Sequence, residues 1–184
     1  PFAMRFAGSE TTASNTCVLD AADLPSGLRD RGYYTICIGG VGFFNQQNPL
    51  GRVLPGLFDE SHWSTELGVT DPRSTEHQVR TAVSALAKVP RERRVFLFMN
   101  ISAIHQPNRF YVPGATTDDV STHAAALEYV DGQLPPLFEA FRARVLGHAR
   151  VHVGVLVRLA GDRRREIGLG LAEGHARGRV AALL

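Results

Sequence analysis

The chain has 184 residues, 44% of them hydrophobic and 21% charged, with a mean hydropathy of -0.07. That is enough apolar material for one domain with its own core, and it excludes a disordered or collagen-like chain. No apolar run approaches the roughly 18–20 residues that span a bilayer, and 20 basic against 18 acidic groups leave no electrostatic footprint for nucleic acid.

Taken in chain order, residues 1–15 are small and polar and read as loop. Asp23 and Pro25 open a short helix that runs through Leu28 to Arg31 and is closed by Gly32 in the left-handed conformation. Tyr34-Thr35-Ile36-Cys37-Ile38 is β-prone and runs into Gly39-Gly40, a buried strand followed by a glycine-rich turn. Residues 43–70 hold no period and predict a long irregular connection, of a length that commonly covers or serves a site. Asp71-Pro72 marks the start of a helix. Val79, Ala82, Val83 and Leu86 then form its apolar face, and Pro90 ends it.

Val95-Phe96-Leu97-Phe98 is an unbroken apolar run, the pattern of a strand covered on both faces. A loop over 100–113 carries His105. A second long helix starts near Asp118 with Val120, Ala124, Leu127, Val130 and Leu134 in phase. Pro135-Pro136 must kink or restart it, and Leu137, Phe138 and Phe141 continue the apolar face. Residues 151–159 read as a third strand. This alternation predicts an α/β fold with a mostly parallel sheet. Ligands bind such sheets beyond the carboxyl ends of the strands, which nominates the loops 39–48 and 100–111.

The chemistry-bearing residues are few. His105 follows a buried strand, although a loop histidine bonded to backbone is the simpler reading from spacing alone. Gly39-Gly40-Val41-Gly42 lacks both the dinucleotide fingerprint and the P-loop lysine, so a tight turn explains it. His77 falls in the first turns of a helix and is expected to be exposed. His123 lies near an apolar helix face as a core histidine, with Asp131 two turns on as a surface carboxylate. Trp63, beside His62, reads as an apolar plug, and Arg91, Arg93 and Arg94 as a solvated turn. There is no Ser/His/Asp order, no glycosidase carboxylate pair and no two-histidine metal helix. Cys17 and Cys37, the only cysteines, are expected to be reduced and packed, in keeping with a cytoplasmic protein. Lys88 is the only lysine, a bias that reads as a GC-rich gene.

Three segments together resemble a known family. Leu28-Arg29-Asp30-Arg31-Gly32-Tyr33-Tyr34-Thr35-Ile36-Cys37-Ile38-Gly39 resembles the sulfatase stretch in which a helix ends in Gly-Tyr-x-Thr and a strand runs to Gly. Val95-Phe96-Leu97-Phe98-Met99-Asn100 followed by His105-Gln106-Pro107 resembles the apolar strand that leads to a His-x-Pro loop. Tyr129-Val130-Asp131-Gly132, within 124–141, is similar to the helix that follows. The order is the family's, over roughly residues 20–146, and the likeness is to a bacterial, sulfatase-like branch of the sulfatase and alkaline phosphatase superfamily. It implies an incomplete α/β/α sandwich and hydrolysis of a small-molecule phosphate or sulfate ester at a divalent metal ion. It also implies a substrate-binding role for His105, with no catalytic residue or metal ligand carried over.

The departures shape that expectation. The family's Gly-Lys-Trp-His block is replaced by Gly39-Gly40-Val41-Gly42-Phe43, without either charged group, which leans towards an ester other than sulfate. The sequence opens on Pro1, and the N-terminus is expected to be truncated ahead of the segment that holds the nucleophile. After Val157, the expected Ser-Asp-His-Gly is replaced by Arg158-Leu159-Ala160-Gly161-Asp162. Residues 1–157 therefore read as a partial hydrolase domain. The segment 158–184 reads either as a shifted reading frame or as a divergent basic tail. The expected function is that of a fragment of a metal-dependent ester hydrolase, inactive as it stands; the alternative is a non-catalytic α/β binding module.

Overall fold

The computed structural model describes residues 22–145, 153–156 and 180–183. Helix α1 (Leu24–Arg29) is capped by Asp23, whose carboxylate accepts from the Ser26 amide at 2.7 Å. Gly32 follows at φ 82°, with the Tyr33 amide bonded back to Leu28 O. This is the left-handed closure the sequence predicts, on a helix that opens at Asp23 as expected and ends two residues earlier, at Arg29 rather than Arg31. Next come strand β1 (Tyr34–Ile38), helix α2 (Pro49–Val53), strand β2 (Glu60–His62), helix α3 (Ser74–Lys88) and strand β3 (Val95–Met99). Helices α4 (Val120–Gln133) and α5 (Pro135–Val145) and strands β4 (Val153–Leu156) and β5 (Val180–Leu183) complete the elements.

The fold is α/β, and the sheet is parallel in the order β2-β1-β3-β4-β5. The register of β1 on β3 runs from Tyr34↔Val95 to Ile38↔Met99. Residues alternate between faces along a strand. Ile36, Ile38, Val95, Leu97 and Met99 form one buried cluster with Val79, Ala82, Ala85 and Leu86 of α3 and Leu137 and Phe141 of α5. On the opposite face, Phe98 meets Phe44 and Phe58 at 5.4 and 5.8 Å between ring centroids. The connection 43–70 thus covers the second face of the sheet. Cys37 is buried, and burial pushes its thiol up to about 12, which keeps it a protonated, inert packing group. Cys17 and the tail 158–179 lie outside the described residues.

Three expectations are corrected. The connection 43–70 contains α2 and the edge strand β2. Asn48 caps α2 ahead of Pro49, accepting from the Gly51 amide at 2.8 Å. β2 is a three-residue polar segment, and the free edge of β1 dictates its strand geometry rather than its own propensity. Asp59 fixes its entrance, accepting from the amide and hydroxyl of Thr35 at 2.9 and 3.0 Å. The buried face of α4 is Thr122, Ala126 and Val130, while Val120, Ala124 and Leu127 are exposed. The run Ala124-Ala125-Ala126-Leu127 leaves the apolar phase degenerate. The Asp119 capping box and the Thr122 hydroxyl, which donates to Asn108 Oδ1 at 2.6 Å, set the rotation instead. Finally, α3 begins at Ser74, because Asp71 accepts from the Arg73 amide at 2.7 Å and so forms a turn ahead of the helix. The restart at Pro135 stands as predicted.

Candidate functional site at the switch between β1 and β3

The chain leaves β1 towards β2 on one side and leaves β3 towards β4 on the other. Adjacent parallel strands whose exits diverge in this way form the crevice where α/β sheets bind ligands. The two loops nominated from the sequence, 39–48 and 100–111, meet there.

Gln78 of α3, fully buried, braces them. Its Nε2 donates to Gly39 O at 3.0 Å and to Asn100 O at 2.6 Å, and its Oε1 accepts from the Ser102 amide at 3.3 Å. Asn100 Oδ1 accepts from the Val41 amide at 2.8 Å, and the Ser102 hydroxyl donates to Leu67 O. A β-carbon on Gly40 would lie 2.2 Å from Asn100 O and 2.3 Å from Ser102 Oγ. Gly40 therefore permits the close approach of two backbones. The Gly39 amide is engaged internally, with His62 O at 2.8 Å, and the Val41 amide with Asn100 Oδ1 at 2.8 Å, which favours a packed turn over a phosphate cradle. Trp63 is more than a plug: its indole N–H donates to Gly40 O at 3.1 Å.

The far end of the His105 loop is pinned as firmly. Asp118 Oδ1 accepts from the amides of Asn108 and Arg109 at 2.8 and 2.7 Å. The buried Asn108 amide nitrogen donates to His123 Nδ1 at 3.2 Å. Tyr111 stacks on Tyr129 with centroids 4.7 Å apart, and burial pushes its hydroxyl up to about 12. Between the clamps, His105 and Gln106 are exposed, ahead of the cis Gln106-Pro107 bond. His105 Nδ1 lies 2.6 Å from Gln106 O. A carbonyl only accepts, so Nδ1 carries a hydrogen and Nε2 is the atom left for a ligand.

The other candidates disperse. His123 belongs to the Asn108 clamp, and Asp131 is exposed on α4 and does not join it. Arg91, Arg93 and Arg94 are exposed, with Arg93 and Arg94 lying over the rings of Tyr34 and Tyr33 at 5.2 and 4.5 Å. His77 is not exposed as expected but 5% accessible, because the late start of α3 turns it inward. Arg80 donates to its Nδ1 at 2.5 Å, and Nε2 is buried without a hydrogen-bond partner among the described residues. His77→Ala is expected to lower stability by about 1–2 kcal/mol, since lost packing and the Arg80 bond outweigh relief of the unpaired nitrogen. An unchanged urea midpoint would refute that.

Gln78 escaped the sequence reading, although a signal was present: it is the lone amide in phase with Ala82, Ala85 and Leu86. Among the described residues no group of three His, Cys, Asp or Glu could hold a metal ion. Among the same residues no helix is long and apolar enough to cross a membrane. Comparison with protein-family models, curated proteins and solved structures finds no match.

Proposed function

We propose that the chain presents the substrate-side face of a cytoplasmic, sulfatase-like ester hydrolase, in which Nε2 of His105 contacts an anionic oxygen of a phosphate or sulfate ester. The observation that carries this reading is an exposed imidazole on a loop pinned at both ends, at the switch point of a parallel sheet. With Nδ1 held by Gln106 O, a second proton on Nε2 turns the ring into a donor of a charge-assisted hydrogen bond. In this reading the scaffold is one layer-pair of an α/β/α sandwich. In this reading the 184-residue chain binds an anionic ester but does not turn it over.

Sulfate titration followed through the His105 ring resonances tests this. Sulfate is expected to shift those resonances beyond what sodium chloride does at equal ionic strength. His105→Ala should weaken binding roughly 10- to 150-fold, the effect of one charge-assisted bond. Phenyl phosphate with magnesium or zinc should show no chelator-sensitive turnover. Resonances that respond equally to chloride would overturn the reading. They would favour instead a non-catalytic contact module, a reading to which the internal engagement of the loop amides lends support.

A further inference from the structure

On β2, Glu60 and His62 stand two residues apart and share a face of the strand. Glu60 Oε1 lies 2.6 Å from His62 Nε2, and Glu60 Oε2 accepts from the Tyr34 hydroxyl at 3.0 Å. An ionised carboxylate only accepts, so Nε2 carries the hydrogen and Nδ1 presents its bare lone pair in the neutral ring. Among the described residues, Nδ1 makes no hydrogen bond.

His62 lines a cavity of about 390 Å³ at the carboxyl end of β2, together with Gln46, Trp63, Ser64, Leu67 and Thr81. Among the described residues no arginine, lysine or carboxylate lines it, so its chemistry is unlike the anion-facing role proposed for His105. The Trp63 N–H and the Thr81 hydroxyl are already committed to Gly40 O and His77 O. Ser61, also in the lining, donates its hydroxyl to Pro55 O, which leaves His62 Nδ1, the Gln46 side-chain amide and the Ser64 hydroxyl without partners among the described residues, beside the apolar bodies of Trp63 and Leu67. Gln46 is held at φ 56°, the one non-glycine residue at positive φ among those described. Such backbone persists where the surroundings enforce it, and it clusters at ligand sites.

We propose that this cavity binds a neutral ring that carries a hydroxyl group, the ring lying along Trp63 and the hydroxyl donating to His62 Nδ1. Glu60 is the positioning residue that fixes the imidazole tautomer. The proposal is independent of the ester reading and shares no residue with His105.

Trp63 is the only tryptophan in the chain, so tryptophan fluorescence reports on the indole that lines this cavity. Phenol and methyl β-glucoside supply the two sources of a ring hydroxyl, and anisole supplies a ring without an O–H donor. A saturable fluorescence change with phenol or with the glucoside, and a weaker one with anisole, is expected. Phenol alone would assign an aromatic alcohol, and the glucoside alone a sugar. His62→Ala should weaken binding roughly tenfold, the effect of one hydrogen bond, while His62→Gln, which keeps an acceptor, should recover part of it. Nitrogen-15 spectra of the unmodified protein should show the Nε2–H tautomer of His62, with Nδ1 shifting as the ligand binds, and Glu60→Gln should relax that preference. Anisole binding as tightly as phenol, no saturable change with either hydroxyl probe, or an Nδ1–H tautomer in the unmodified protein would each overturn the proposal.

Discussion

Gly40→Ala is expected to destabilise the protein by about 3–5 kcal/mol and to release the His105 loop as it does so. The added carbon meets Asn100 O at 2.2 Å and Ser102 Oγ at 2.3 Å, with Gln78 Nε2 at 3.0 Å. The first of these is backbone at the end of β3 and has no rotamer to move into. Overpacking of this kind costs about 1–3 kcal/mol. Separating the loops to relieve it also breaks the bonds of Gln78 to Gly39 O and Asn100 O, leaving buried groups unpaired at about 1–3 kcal/mol each before relaxation. Gly42→Ala is the control within the same loop. Its β-carbon would meet nothing nearer than Asn45 Nδ2 at 3.9 Å, and its stability should stay within about 0.5 kcal/mol of the parent. Urea unfolding of the two variants decides the matter. Equal midpoints would show that the approach of the two loops is not a hard contact.

That contact marks the boundary between what the sequence reveals and what it does not. β1 matches its predicted bounds, β3 is fixed by the unbroken apolar run, and the restart at Pro135 follows from the ring of proline itself. These are local signals. The loops 39–48 and 100–111 were nominated by the general geometry of parallel sheets, and the structure brings them together. What decides the site is not local. β2 has no period and no β-prone residue, and becomes a strand only because β1 offers an unpaired edge, so the pairing of Glu60 with His62 was invisible. Gly39-Gly40 carries the composition of a turn, but the requirement at Gly40 comes from a backbone 60 residues further along. His77 was misplaced because a turn at Asp71 delays α3 and rotates its first residues inward.

Arg144→Ala is the second large loss expected, about 3–5 kcal/mol, far from either candidate site. Arg144 on α5 is 7% accessible and has no ion-pair partner among the described residues. Its Nη1 donates to Leu86 O and Val89 O at 2.9 and 2.8 Å, and its Nη2 to Pro90 O and Arg93 O at 2.8 and 3.1 Å. A helix leaves its last carbonyls unpaired, and they form the negative end of its dipole. One guanidinium therefore closes the end of α3, supplies it with positive charge and ties it to the turn that enters β3. Desolvation, reinforced by the nearby Arg91, pulls the Arg144 pKa down from its ordinary value. Arginine nevertheless stays charged there because its unperturbed value lies so high. Removal takes a charged donor from all four carbonyls; Leu86 O and Pro90 O keep the amides of Val89 and Arg93 at 3.3 and 3.1 Å, while Val89 O and Arg93 O are left without a donor among the described residues. Arg144→Lys should recover less than half of the loss, since an ammonium has three donors and no planar fork to span the four oxygens. Hydrogen exchange should locate the damage in the last turn of α3, while the native fraction keeps its sulfate response at His105. If Arg144→Ala unfolded at the parent's urea midpoint, the clamp would contribute nothing and the end of α3 would have to be held by packing alone.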